Sequence, residues 1–314
     1  MNVEKIRKIV IAGAGLLLVT ACSREPAATA QQPETTAADP MAGVVEIVTR
    51  DFTIQAPDEL PTGWNQLHFT NEGKQTHFVV IYRMPEGKTI DDQLRETVPA
   101  FETVMAGLRS GELTKADIGK KLGELAPAWV WQLVYVGGVG LLAPGGSETT
   151  TIHLDTPGTY LLECYMKGHD GRFHSSMGML KQVQVVEQDS GLTEPEGDVV
   201  VSVGDDGIVA PDSVAAGRHV FKVEFTKDAP DTPLPYDVHL ARLDDSSQVE
   251  KVAYWMDWTN IGGLKDPAPV TFLGGVENMK AGNRGYLDVE LAPGRYLWVS
   301  EMNADRINKT FTVE

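Results

Sequence analysis

Residues 164 to 179 read Cys164-Tyr-Met-Lys-Gly-His169-Asp-Gly-Arg-Phe-His174-Ser-Ser-Met177-Gly-Met179. A thiol, two imidazoles and three thioethers thus share one loop-sized segment. Soft sulfur donors combined with imidazole are the ligand set of a mononuclear blue-copper centre, in which two histidines and a thiolate hold the ion and a thioether sits weakly on the axis. That geometry suits both oxidation states of copper, so the chemistry it implies is one-electron transfer. Each residue alone has a plainer use. A lone cysteine on a strand is commonly a small buried hydrophobe, and Met166, Met177 and Met179 can simply fill a core. Their concentration beside two histidines is what points to a metal.

Such a loop needs rigid elements on both sides. Short runs rich in β-branched and aromatic residues, several alternating with polar ones, predict strands over 44–54, 65–70, 77–84, 149–154, 159–164 and 180–186. Turn-forming clusters separate them, among them Asn71-Glu72-Gly73 and Ala143-Pro144-Gly145-Gly146. The pattern is that of an all-β sandwich. One segment departs from it: Leu94, Val98, Phe101, Met105 and Leu108 recur at helical spacing between Thr89 and Ser110. Thr89 and Asp92 form a capping-box pair at its start, and Pro99 is expected to kink or break it.

The chain also repeats itself. Ala56-Pro57-Asp58 followed by Gly63 recurs as Ala210-Pro211-Asp212 followed by Gly217, and Pro157-Gly158-Thr159-Tyr160-Leu161 recurs as Pro293-Gly294-Arg295-Tyr296-Leu297. Two tandem Greek-key β-sandwiches are therefore expected, over 43–187 and 198–314, joined by a linker at 188–197. The helical insert is expected in the first alone. In the second, Ser300 stands where the first has Cys164, Tyr236 stands where it has His77, and no histidine follows Ser300. A hydroxyl is a poor ligand for copper(I), so the second unit is expected to hold no such ion. His239 is read as structural, and His68, His153 and His219 as surface residues. Trp255, Trp258 and Trp298 are read chiefly as core, with a docking surface or dimer interface as the other use.

Lys5, Arg7 and Lys8 precede an apolar run from Ile9 to Val19, too short to span a bilayer stably, which reads as a secretory signal over 1–21. The run ends in Val19-Thr20-Ala21-Cys22, which resembles a bacterial lipobox, so Cys22 is expected to become the lipidated first residue. Residues 22–42, mostly Ala, Pro, Thr, Gln and Glu, read as a flexible tether. These segments place the protein in a bacterial cell envelope, facing the periplasm and touching the membrane through lipid alone. Ser23, in place of an aspartate, favours the outer membrane over the inner. The net charge of −17 argues against nucleic acid and suits a basic redox protein as partner, or solubility alone.

The segment from Asn71 to His77, the approach Pro157-Gly158-Thr159-Tyr160, and Cys164 followed by histidine and then Gly178-Met179 resemble the cupredoxins. Within that family the match is to bacterial cupredoxin-like proteins whose long Cys-to-His loop ends in His-x4-Met. The resemblance covers residues 43 to 186; it reaches the second unit only through the internal repeat. It implies His77 and Cys164 as copper ligands. His174 with Met179 keeps the His-to-Met spacing of plastocyanin-like loops, and the resemblance favours that pair. His169 is the alternative histidine, at the Cys-x4-His spacing of azurin-like loops. Met177 is the alternative thioether, since His174-x2-Met177 resembles binuclear copper sites, although the second cysteine those need is absent.

The leading expectation is a one-electron carrier with one type 1 copper and redox proteins as partners. A metal-free binding or structural lipoprotein, or a copper-sequestering protein, is the alternative. An enzyme is not expected. Multicopper oxidases and nitrite reductases need further imidazoles, often as His-x-His or His-Cys-His, and neither pattern occurs. No nucleophile elbow is present either, and the ligands are too few for a zinc site.

Overall fold

Along Glu59–Asn71 alternate side chains from Leu67 to Asn71 are fully buried while His68 and Thr70 face outward, the two-residue period of a strand covering a core on one side. The computed structural model describes residues 43–229, 234–244 and 248–314. The expected signal, Cys22 and the tether lie outside them. No helix among the described residues is long and apolar enough to cross a membrane.

In the first half of the chain one sheet runs β2 (Thr53–Gln55), β1 (Val44–Arg50), β3 (Glu59–Asn71), β6 (Ser147–Leu154). The facing sheet runs β8 (Leu180–Asp189), β7 (Gly158–Glu163), β4 (His77–Arg83), β5 (Val134–Leu142). The start of β3 crosses to pair in parallel with β8. The second half repeats these pairings. One side has β10 (Gly207–Val209), β9 (Val199–Gly204), β12 (Gly217–Phe225) and β15 (Arg284–Leu291). The other has β17 (Asn308–Val313), β16 (Gly294–Val299), β13 (Tyr236–Leu243) and β14 (Thr271–Met279), with β11 (Ser213–Val214) beside β17. The architecture is thus an all-β sandwich with a helical insert, as expected.

The halves are not beads on a string. β5 pairs with β14 and β6 with β15, both antiparallel, so both sheets continue from one half into the other. The register is symmetric: Leu142 faces Leu273, Val136 faces Met279, and Val139 meets Val276 between them. A Cβ on Gly140 would lie 2.6 Å from the Gly275 backbone, so this seam requires glycine.

β5 is not among the strands read from the sequence. Its Gly137-Gly138 pair breaks the apolar alternation, yet Gly138 is needed there, because a Cβ would stand 2.0 Å from the Val79 carbonyl oxygen. The helical segment starts as read: Thr89 and Asp92 form the capping box of α1 (Ile90–Asp92). A π-helical turn over Gln93–Thr97 leads into α2 (Val98–Ser110), and Pro99 falls in the first turn of α2, where its missing N–H costs little. α3 (Ile118–Leu125) follows. The second half, in which no counterpart of this insert is expected, has one shorter helix there. α4 (Gln248–Met256) fills the same connection, between β13 and β14, with Val252, Trp255 and Met256 buried in the core. Trp298 is buried as well, and Trp258 packs against Phe101 and Phe173.

Candidate metal centre

β4 opens at His77, and β7 ends at Glu163 just before Cys164; the two strands are hydrogen-bonded neighbours. Both residues therefore emerge at one end of the sandwich. The loop from Cys164 turns back through a short helical turn, His174–Met177, and re-enters the sheet at Leu180. The Met179 amide donates to the His174 carbonyl at 3.0 Å, and the Cys164 amide donates to the Met179 carbonyl at 3.2 Å. These bonds fold the loop so that Cys164 and His174 meet.

Cys164 Sγ lies 3.7 Å from His77 Nδ1 and 3.7 Å from His174 Nδ1, and all three residues are buried. Each histidine is oriented from behind. His77 Nε2 donates to Asp51 Oδ1 at 2.8 Å, and His174 Nε2 donates to Gln75 Oε1 at 3.2 Å. With the protons held on Nε2, both Nδ1 lone pairs converge on the sulfur. A ligating imidazole is commonly fixed in this way by a partner on its other nitrogen. The Phe52 ring, centred 4.7 Å from that of His174, closes the outer side.

The electrostatics favour neutral imidazoles. Burial lowers the pKa of His77, partly offset by Asp51. Burial and the neighbouring His77 push His174 down to about 3. Burial works against the charge of Asp51 as well, but hydrogen bonds from His77 and from the backbone amides of Lys74 and Gln75 outweigh it and hold the carboxyl below its usual value. Burial pushes the Cys164 thiol up to about 12, although the Phe78 and Met166 amides favour the thiolate. A buried thiol facing two neutral nitrogen lone pairs is the donor set of a soft metal site, and a bound cation would stabilise its thiolate. The residues therefore fit copper.

Met179 is fully buried at the end of the loop. Met177 is half-buried; a Cβ on Gly168 would lie 3.0 Å from its methyl carbon. His169 is exposed and does not join the cluster.

Several positioning residues carried no signal in the sequence. Asp51 and Phe52 reach the histidines from a turn distant in the chain, and Gln75, although only two residues before His77, reaches His174 instead. Gly73 leaves room for the Asp51–His77 contact, since a Cβ there would stand 2.4 Å from Asp51 Oδ1 and 2.8 Å from His77 Nε2. Asn71, in the quoted segment, ties this loop down through its Nδ2 to the carbonyls of Gln75 at 2.8 Å and Leu142 at 2.9 Å. The second half braces the site too. Lys167 in the ligand loop donates from Nζ to the carbonyls of Trp258 and Asn260 at 2.9 and 2.6 Å, and the Thr76 amide donates to Asp266 Oδ1 at 3.2 Å.

A second buried group, Asp237, His239 and Glu277, has donor atoms within 4.8 Å of one another. The Leu141 amide donates to His239 Nδ1 at 3.1 Å, so the neutral ring carries its proton on Nε2, which lies 3.3 Å from Asp237 Oδ2. No lone pair of His239 is left for a metal. Asp237 Oδ1 accepts from Ser300 Oγ at 2.7 Å and from the Glu301 amide at 2.8 Å.

No protein-family model and no curated protein matches this chain. Solved structures do. Auracyanin from Roseiflexus castenholzii is 21% identical over 46% of this chain and 97% of its own, with a TM-score of 0.25. A multicopper oxidase is 14% identical over 86% of this chain and 88% of its own, at 0.21. The copper-containing nitrite reductase of Thermus scotoductus is 11% identical over 86% and 61%, at 0.22. Likenesses this remote say nothing of what this chain binds.

Proposed function

We propose that the protein would hold one copper ion through His77, Cys164 and His174, with the buried Met179 as a further thioether ligand, and pass single electrons between redox partners. The observation that carries this reading is the convergence of two Nδ1 lone pairs on one buried thiol, each fixed by a hydrogen bond on the far side of its ring. When bound, copper would supply a reversible one-electron couple. The chain's own part is rigidity and dryness. Asp51 and Gln75 hold the imidazoles in one tautomer. Phe52 and the buried loop exclude water. The carbonyls of Trp258 and Asn260 anchor the ligand loop through Lys167. A site held this firmly changes little when its charge changes, which is what fast electron exchange requires.

In the same proposal residues 43–187 form the copper-holding domain and 198–314 a domain without copper that braces it. The protein is carried to the periplasmic face of the outer membrane by lipid on Cys22. Its acidic surface meets a basic redox protein, and it catalyses no reaction of its own. Titration of the metal-free protein with copper(II) tests the central point: one equivalent should bind, with an intense visible charge-transfer band. Binding without that band would favour a copper-sequestering role instead.

A further inference from the structure

A cavity of about 870 Å³ opens between the helical insert and the second half, within the roughly 300–1,000 Å³ range of small-molecule sites. Its walls are largely apolar and aromatic, including Val98, Phe101, Leu122 and Trp131 on one side and Tyr254 and Trp258 on the other. Three of its polar residues are nearly inaccessible, Gln93 at 4%, Thr97 at 3% and Glu301 at 4% exposure, and each has an atom without a hydrogen-bond partner: Gln93 Oε1, Thr97 Oγ1 and Glu301 Oε1. Native proteins seldom leave such atoms unpaired. Each of the three can accept a hydrogen bond from a ligand, and the Tyr82 and Tyr165 hydroxyls of the lining already donate elsewhere, to Glu163 and Glu301.

The ionisable side chains that line it are all acidic or phenolic: Glu163, Glu250, Asp257, Glu301 and Asp305 do so beside the tyrosines, and no lysine, arginine or histidine does among the described residues. Burial opposes the ionisation of Glu163 and Glu301, so an entering ammonium group would favour their charged form. Asp257 is paired with Lys115 at 2.6 Å. Lys167, which acts electrostatically on Glu301, directs its Nζ to the Trp258 and Asn260 carbonyls.

Unpaired acceptor atoms, an acidic lining and aromatic faces are together the recognition chemistry of an organic cation. We infer that this cavity binds a primary amine with an apolar, aromatic body, whose ammonium group donates to Gln93, Thr97 and Glu301 while its body rests among the aromatic walls. Glu163 and Ser175 also line the cavity, and they adjoin Cys164 and His174 in the chain. The ligand would therefore sit beside the metal centre, although its recognition needs no metal.

The test is a pair of calorimetric titrations of the full-length, metal-free protein, one with 2-(1-naphthyl)ethylamine and one with its neutral isostere 2-(1-naphthyl)ethanol, each repeated after copper loading. The amine should bind at one site, tighter than the alcohol by about tenfold or more, the scale of one charge-assisted hydrogen bond. Glu301→Gln should remove most of that preference. If that variant fails to fold by circular dichroism, the isosteric Thr97→Val should reduce the preference in its place. Equal binding of amine and alcohol, or saturable binding of neither, would overturn the inference. Because the metal-free protein is used, amine binding in a protein that takes up no copper would sink the copper reading and leave this one standing.

Discussion

The two halves carry the same strands to the same end and finish them differently. In the first, β7 delivers Cys164, and the chain detours through residues 165–178 before the Cys164 amide closes on the Met179 carbonyl. In the second, β16 delivers Ser300, and its amide closes on the Ile307 carbonyl after only residues 301–306. Ile307, fully buried, thus takes the place of Met179. The sulfur of the first half faces two imidazoles; the hydroxyl of the second donates to a carboxylate, Asp237. The sandwich closes with either ending, so the ligands are an addition to the fold and not a condition of it.

The sharpest break of that comparison is to give the first half the residue of the second. Cys164→Ser should abolish stoichiometric copper binding and the visible band while the far-ultraviolet circular dichroism stays that of the wild type. Retained wild-type affinity, measured by competition with a copper chelator, would contradict the ligand assignment.

The reverse exchange should fail. Ser300→Cys supplies a sulfur with no imidazole lone pair facing it, so no second blue centre should form. It also deprives Asp237 of a buried donor, at a cost of about 1–3 kcal/mol in urea unfolding.

Next in size are the groups behind the imidazoles. Asp51→Asn leaves the His77 ring without its charged anchor and should weaken copper binding about 10–100-fold, the usual scale for the outer partner of a metal-ligating histidine. Gly73→Ala should act in the same direction by pushing into that contact. Gln75→Leu should have a smaller effect, because a neutral amide holds His174 less strongly than a carboxylate holds His77.

A last set of expected effects separates the two halves by pH. In the unfolded chain His174 titrates near its ordinary 6.5, whereas in the fold it does so near about 3. The unfolded state binds the extra proton between those values, so the metal-free protein should lose stability as pH falls through that window. Glu277 and Glu301, buried in the second half, have carboxyl pKa values raised well above their ordinary 4.5 by burial and by neighbouring acids. They keep their protons in the fold longer than in the unfolded chain, so their contribution falls as pH rises above about 4.5. Urea unfolding across pH 4 to 8 should therefore show a flatter alkaline side for Glu277→Gln than for the wild type.

What the sequence revealed follows from distance along the chain. Cys164, His169, His174, Met177 and Met179 stand within one loop, so their chemistry is visible as composition. His77 can be added because the loop segment from Asn71 ends on it and a strand pattern begins there. Asp51 and Phe52 have no such mark; an aspartate in a turn looks the same whether or not a histidine 26 positions later donates to it. The choice between His169 and His174 turns on which one the loop buries, and loop burial has no period. β5 was hidden because the glycines that let it pack between two neighbouring strands also break the apolar alternation by which strands are found. α4 was hidden by its length, since nine residues offer only about two and a half turns of helical spacing.

The measurement that tests the central claim most directly is the visible absorption spectrum of the full-length protein after copper(II) loading and removal of excess metal. An intense charge-transfer band that bleaches on reduction and is missing in Cys164→Ser is the predicted result. A protein that takes up no copper, or whose copper gives the same weak spectrum with and without Cys164, would contradict it.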